Sequence, residues 1–68
     1  MKWHAGPDSL NRRFVIEHDE LAGFYLFIFE GTVCVRDELY DSFDRAVSSA
    51  SRRYSIERDS WKIEDAPQ

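Results

Sequence analysis

Apolar and polar positions change their period once, near residue 40, and the change divides the chain into a sheet-forming and a helix-forming part. Arg12 to His18 alternates, with Phe14 and Ile16 on one side and Arg13, Val15 and Glu17 on the other. Alternation carried by β-branched and aromatic side chains reads as a strand. Asp19-Glu20-Leu21-Ala22-Gly23 has the length of a hairpin connector. Phe24 to Phe29 is apolar throughout, with four aromatics in six positions and no glycine or proline, which favours strand over helix. Glu30-Gly31 supplies a turn, and Thr32 to Arg36 reads as a third strand. Short connectors imply that the three strands pair as an antiparallel meander.

Beyond Tyr40 the apolar positions are Phe43, Ala46, Val47, Ala50 and Tyr54. At about 100° per residue these fall on one narrow stripe of a helix. Asp41 or Ser42 is placed to accept the free amides of its first turn, and Asp44 suits the positive end of the dipole. Arg52 and Arg53 suit the other end. Ser55 stands where glycine best ends a helix, with Ile56 as a hydrophobic clasp. Trp61 and Ile63 alternate around Lys62, a candidate for a short final strand. The expected fold is therefore α+β: a three-stranded antiparallel meander followed by one helix packed on one face (β-β-β-α, with the short final β as an option). One domain spans 1–68, with a loosely ordered lead-in at 1–11 that holds Gly6 and Pro7, a core at 12–63 and a tail at 64–68.

This reading creates a covering problem. Phe24, Leu26 and Ile28 point to one face of the middle strand, and Tyr25, Phe27 and Phe29 to the other. One helix shields one face. The second needs Trp3 and Trp61 folding across it, a second copy of the chain, or a different protein.

Composition narrows the function classes. A chain of 68 residues buries only roughly 60% of its unfolded surface, which leaves no room for a two-lobed enzyme or a solenoid. Apolar residues at 43% are too many for a disordered tail. Nine Lys+Arg against 13 Asp+Glu give a net charge of −4, a poor match to a phosphate backbone. The single Cys34 cannot form an internal disulfide, which points to a reducing compartment; the expectation is a cytoplasmic protein, bacterial in style. The opening residues carry no secretory signal, and six consecutive apolar residues fall far short of the roughly 20 that span a bilayer.

The chemistry available is sparse. His4, His18 and Cys34 are isolated in sequence, so no metal-ligand spacing exists, and Cys34 between two valines reads as a packed, inert thiol. A Cys34–His18 nucleophile and base pair across neighbouring strands would lack an orienting third group. Glu17, Asp19, Glu20, Asp37, Glu38, Asp41 and Asp44 read as a solvated acidic rim, since a paired general acid needs an enclosing pocket. Gly6, Gly23 and Gly31 are scattered and form no phosphate loop. No catalytic residue, cofactor or metal is expected. Two surfaces remain as binding candidates: the aromatic face Tyr25, Phe27 and Phe29, and a helix face carrying Arg45, Ser49, Arg52 and Arg53. Binding to another protein or to itself is the leading expectation, immunity- or antitoxin-like in kind. The alternative is a nucleic-acid-binding domain using Arg13, Arg36 and the helix arginines.

Two resemblances accompany this reading. A three-stranded sheet followed by a helix resembles, in layout, the plant ethylene-response-factor type of DNA-binding domain, whose sheet carries Arg and Trp to the bases; Arg13, Arg36 and aromatics would stand there. Asp37-Glu38-Leu39-Tyr40-Asp41-Ser42-Phe43, then Ala46, Ala50, Tyr54-Ser55-Ile56 and Trp61, is similar to a pattern in small uncharacterised bacterial sheet-plus-helix proteins. That likeness covers about residues 13 to 63. Asp44-Arg45 departs from its usual paired glutamates, and Ser55 from its glycine. It implies a fold and no active site. Some small acidic proteins of this shape resemble immunity proteins that plug a basic toxin.

Overall fold

A computed structural model describes residues 1–64. Its strands are β1 (Lys2–Ala5), β2 (Arg12–Asp19), β3 (Gly23–Glu30), β4 (Val33–Tyr40) and β5 (Lys62–Ile63), with one helix, α1 (Phe43–Tyr54). They form a single antiparallel sheet in the order β4-β3-β2-β1-β5: a four-stranded meander with β5 added beside β1. The α+β class stands, but three strands undercount the sheet. Lys2-Trp3-His4-Ala5, placed above in a loosely ordered lead-in, is a strand whose Trp3 and Ala5 face inward. Four residues before a Gly-Pro turn are too few to show a period. Of the expected tail, Glu64 donates its N–H to the Lys2 carbonyl at 2.9 Å, and the remainder lies outside the described residues.

The third expected strand also runs further, to Tyr40 rather than Arg36. Asp37-Glu38-Leu39-Tyr40 continues the edge strand, and its one helix-side carboxylate, Glu38, is held by Arg36, Tyr40 and Arg53. A β-bulge lies in this strand. Ile28 pairs with Arg36 and Phe29 with Cys34, so Val35 is the extra residue. The bulge resets the alternation and sends Arg36, Glu38 and Tyr40 to the helix side while Cys34 goes to the other.

Turn chemistry sets the register. One carboxylate oxygen of Asp19 accepts from the N–H of Leu21 at 2.8 Å and of Ala22 at 2.9 Å, closing the β2–β3 connection. Gly23 follows at φ +126°, where a Cβ would lie 2.5 Å from the Tyr40 carbonyl. Only glycine lets β3 begin that close to the end of β4.

Helix α1 starts at Ser42, whose side chain accepts from the Arg45 N–H at 3.1 Å. Ala46, Val47 and Ala50 are buried against Phe14, Ile16, Leu26 and Ile28, with Ala5 and Ile56 completing the core. Small alanines let the helix sit close to the sheet. At its far end Ser55 takes a left-handed conformation, φ 59° and ψ 32°, while Ile56 folds into the core and its N–H returns to the Ala50 carbonyl at 3.4 Å. A side chain at that backbone position is strained. Ser55→Gly is therefore expected to stabilise the domain by about 0.5–1 kcal/mol, raising Tm by a few degrees in a thermal melt followed by circular dichroism.

Candidate functional site

The sheet face away from α1 carries three rows of side chains across β2, β3 and β4. The register gives Arg13, Phe29 and Cys34 in the first row, and Val15, Phe27 and Asp37 in the second. Glu17, Tyr25 and Leu39 form the third. His4 extends the middle row onto β1, opposite Val15, and Lys2 extends the third, opposite Glu17. Tyr25 and Phe27 stack with ring centres 5.7 Å apart and planes 17° from parallel. Two shallow hollows share this face. One of about 340 Å³ is floored by Val15, Phe27 and Phe29, and one of about 600 Å³ opens between Phe29, Arg13 and the Gly6-Pro7 turn.

Nothing among the described residues covers these rings. Trp3 and Trp61, considered above as covers for this face, pack on the helix side instead. Trp3 lies 4.5 Å from Phe43 between ring centres, and both tryptophans border the buried core. The physical reason is the alternation of β1: Trp3 shares its side with the buried Ala5, so its ring fills the end of the helix–sheet layer. Tyr25, Phe27 and Phe29 stay half-buried, shielded only by one another and by their strand neighbours.

The helix arginines do not form the second surface expected. Ser49 is buried, 1% exposed, because it flanks the sheet-facing stripe at Ala46 on the side where Tyr40 of β4 packs. Its hydroxyl meets the Tyr40 hydroxyl at 2.6 Å. Tyr40 in turn donates to the Glu38 carboxylate at 2.7 Å, so Ser49 is the donor in the first of these bonds. Arg53 reaches both oxygens of the same carboxylate at 2.5 Å, and Arg36 reaches it at 3.1 Å. The Arg53 guanidinium, helped by Tyr40 and Arg36, holds the Glu38 carboxyl down to about 2 against the upward push of burial. Arg45 pairs with Asp41 at 3.3 Å, and Arg58 pairs with Asp44. Arg52 is exposed on the same helix and forms no ion pair with a described residue. Most of the positive charge on this side is thus locally balanced.

The proposed nucleic-acid set separates as well. Arg13 lies on the open face, Arg36 on the helix side, and Arg53 is held by Glu38. Cys34 is exposed on the edge strand, with its thiol toward the Arg36 carbonyl, rather than packed. An edge strand offers it no neighbour on one side. His18 stacks on Phe24 at 4.3 Å and pairs across from it, while Cys34 pairs with Phe29 at the other end of β3, so the two do not meet. Among the described residues no three His, Cys, Asp or Glu side chains come together as a metal site, and no helix is long and apolar enough to cross a membrane.

Sequence reasoning grouped Tyr25, Phe27 and Phe29 on one side of β3 and Arg13, Val15 and Glu17 on one side of β2, and the register puts the two sets on the same face. It missed Lys2 and His4, whose strand is four residues long, and Cys34, whose side of the sheet is set by the bulge. The chain matches no protein-family model, no curated protein and no solved structure at a significant level.

Proposed function

We propose that the chain is a small protein-binding domain whose docking surface is the open sheet face. One observation carries this reading: Tyr25, Phe27 and Phe29 line the open side of β3, the first two stacked, and stay partly exposed with no described segment across them. Contiguous exposed apolar surface of this kind marks interaction sites on small soluble domains. Aromatic anchors inside a charged border match the anatomy of a protein interface. The border here is mixed, with Lys2, Arg13 and Lys62 against Glu17, Asp37 and Glu64. A nucleic-acid platform needs one sign of charge beside its stacking rings, and mixed charge favours a protein partner.

The test compares wild type with Phe27→Lys and with Arg52→Glu on the helix side as control. Each is immobilised and challenged with cell lysate and, separately, with the free wild-type chain, and what is retained is compared. Retention that is lost in Phe27→Lys and kept in Arg52→Glu is the expected result. Retention that is equal in all three, or salt-sensitive capture of single-stranded nucleic acid at about 50 mM salt, overturns the reading.

A further inference from the structure

We infer that the partner of the open face is a second copy of the same chain, docked about a two-fold axis that runs across the strands through Val15 and Phe27. This rests on the reading of the open face as a docking surface and adds its occupant and geometry.

The three rows of the open face set the pairing. A two-fold axis along the middle row exchanges the outer two. Arg13 of one copy then lies over Glu17 of the other, and the reverse contact forms by symmetry. Tyr25 lies over the second copy's Phe29, while Val15 and Phe27 pack on their own counterparts. Arg13 and Glu17 stand two residues either side of Val15 on β2, so the face is complementary to itself in charge as well as in shape.

In the single chain these two charges are weakly held. Among the described residues Glu17 has only Lys2, at 3.9 Å, and Arg13 forms no ion pair. Docking gives each an opposite charge at the moment it loses water, the condition for burying charge at all. The other face-to-face solution, an axis parallel to the strands, puts Arg13 over Phe29 and Glu17 over Tyr25, so neither charge meets its opposite. Like charges do meet in the proposed dimer, Asp37 on β4 and Lys62 on β5, but only at the outer edges where salt screens them. Packed sheets cross at about 30°, which opens those edge pairs further while the centre stays in contact.

Area sets the strength. Three strands of eight residues about 4.8 Å apart, with the four-residue β1 beside them, give a face of roughly 450 Å² per copy. The total, roughly 900 Å², falls below the range of specific stable interfaces and among weak, transient ones. Weak association is expected, with a dissociation constant on the order of 100 µM, so the dimer belongs to high concentrations.

Sedimentation velocity from about 5 µM to about 500 µM brackets that range. Wild type is expected to pass from monomer to dimer. Arg13→Glu and Glu17→Arg, each alone, set like charges over one another at both symmetric contacts and should weaken the dimer at least about 30-fold. Mixed in equal amounts, the two variants regain opposite charges at both contacts, so the mixture should dimerise as wild type does. Both substitutions lie on the surface, and circular dichroism confirms that each variant folds. A mixture that stays monomeric, or single variants that dimerise like wild type, overturns the geometry. Wild type monomeric at the highest concentration, with lysate retention still dependent on Phe27, overturns the second copy and leaves the docking face standing. A dimer that survives Phe27→Lys overturns both.

Discussion

Leu26→Ala is expected to remove most of the stability of the domain, while Phe27→Thr, one residue along the same strand, leaves it nearly unchanged. Leu26 is 0% exposed, beneath the alanine stripe of α1. Truncating a buried leucine costs about 3–5 kcal/mol through lost transfer energy and the cavity left behind. A domain of 68 residues with one small core has roughly 3–5 kcal/mol in total. The variant therefore sits at or near the unfolding midpoint in water. Phe27 has only strand neighbours and the Tyr25 stack to lose, and threonine keeps the β preference, so its cost is within about 1 kcal/mol. Urea unfolding at low micromolar concentration, below the dimerisation range, makes the comparison. With m near 1 kcal/mol/M, Leu26→Ala should lower the midpoint by about 3 M and Phe27→Thr by less than about 1 M. Equal losses at the two positions would mean that the second face is packed in the free chain, and the docking surface would vanish with that result.

This contrast also shows where the sequence was sufficient. Leu26 and Phe27 belong to an unbroken apolar run, and period two alone assigns them to opposite faces once the run is read as a strand. The helix was legible for the same reason: Phe43, Ala46, Val47, Ala50 and Tyr54 repeat at helical spacing, and Ser42 and Ser55 mark its ends. What was not legible depends on partners distant in sequence. Lys2–Ala5 becomes a strand because β2 offers it a free edge, and Lys62–Ile63 becomes one because β1 then offers the next. Cys34 changed side because a bulge at Val35 resets the alternation, and no residue in that stretch announces a bulge. Ser49 looked solvated because serine usually is. Its burial became affordable only through Tyr40, nine residues earlier and on a different element.

Glu38 closes that same polar chain, and acid should reveal it. Its ordinary value of 4.5 is held down to about 2 in the folded protein, first by Arg53 and then by Tyr40 and Arg36, with burial opposing. A carboxylate whose folded value lies below its unfolded one stabilises the fold fully above the unfolded value. That contribution is lost as pH falls from about 4.5 toward 2. A shift of that size corresponds to at most about 3 kcal/mol. Arg53 and Arg36 are 35% and 56% exposed, so solvent screening lowers the contribution to about 1–2 kcal/mol. Glu38→Gln keeps the shape and still accepts from Tyr40, but it drops the charge. The variant is expected to lose about 1–2 kcal/mol at pH 7, and its deficit relative to wild type should shrink to nearly nothing by about pH 2. Urea unfolding of both proteins across that span makes the measurement, and the shared carboxylates cancel in the difference. A deficit that stays constant with pH would assign Glu38 a packing role in place of a charged one. The cluster lies on the helix side, while Arg13 and Glu17 lie on the open face. Self-association of Glu38→Gln at pH 7 should therefore match wild type, which separates a variant that loosens the fold from one that disturbs the docking surface.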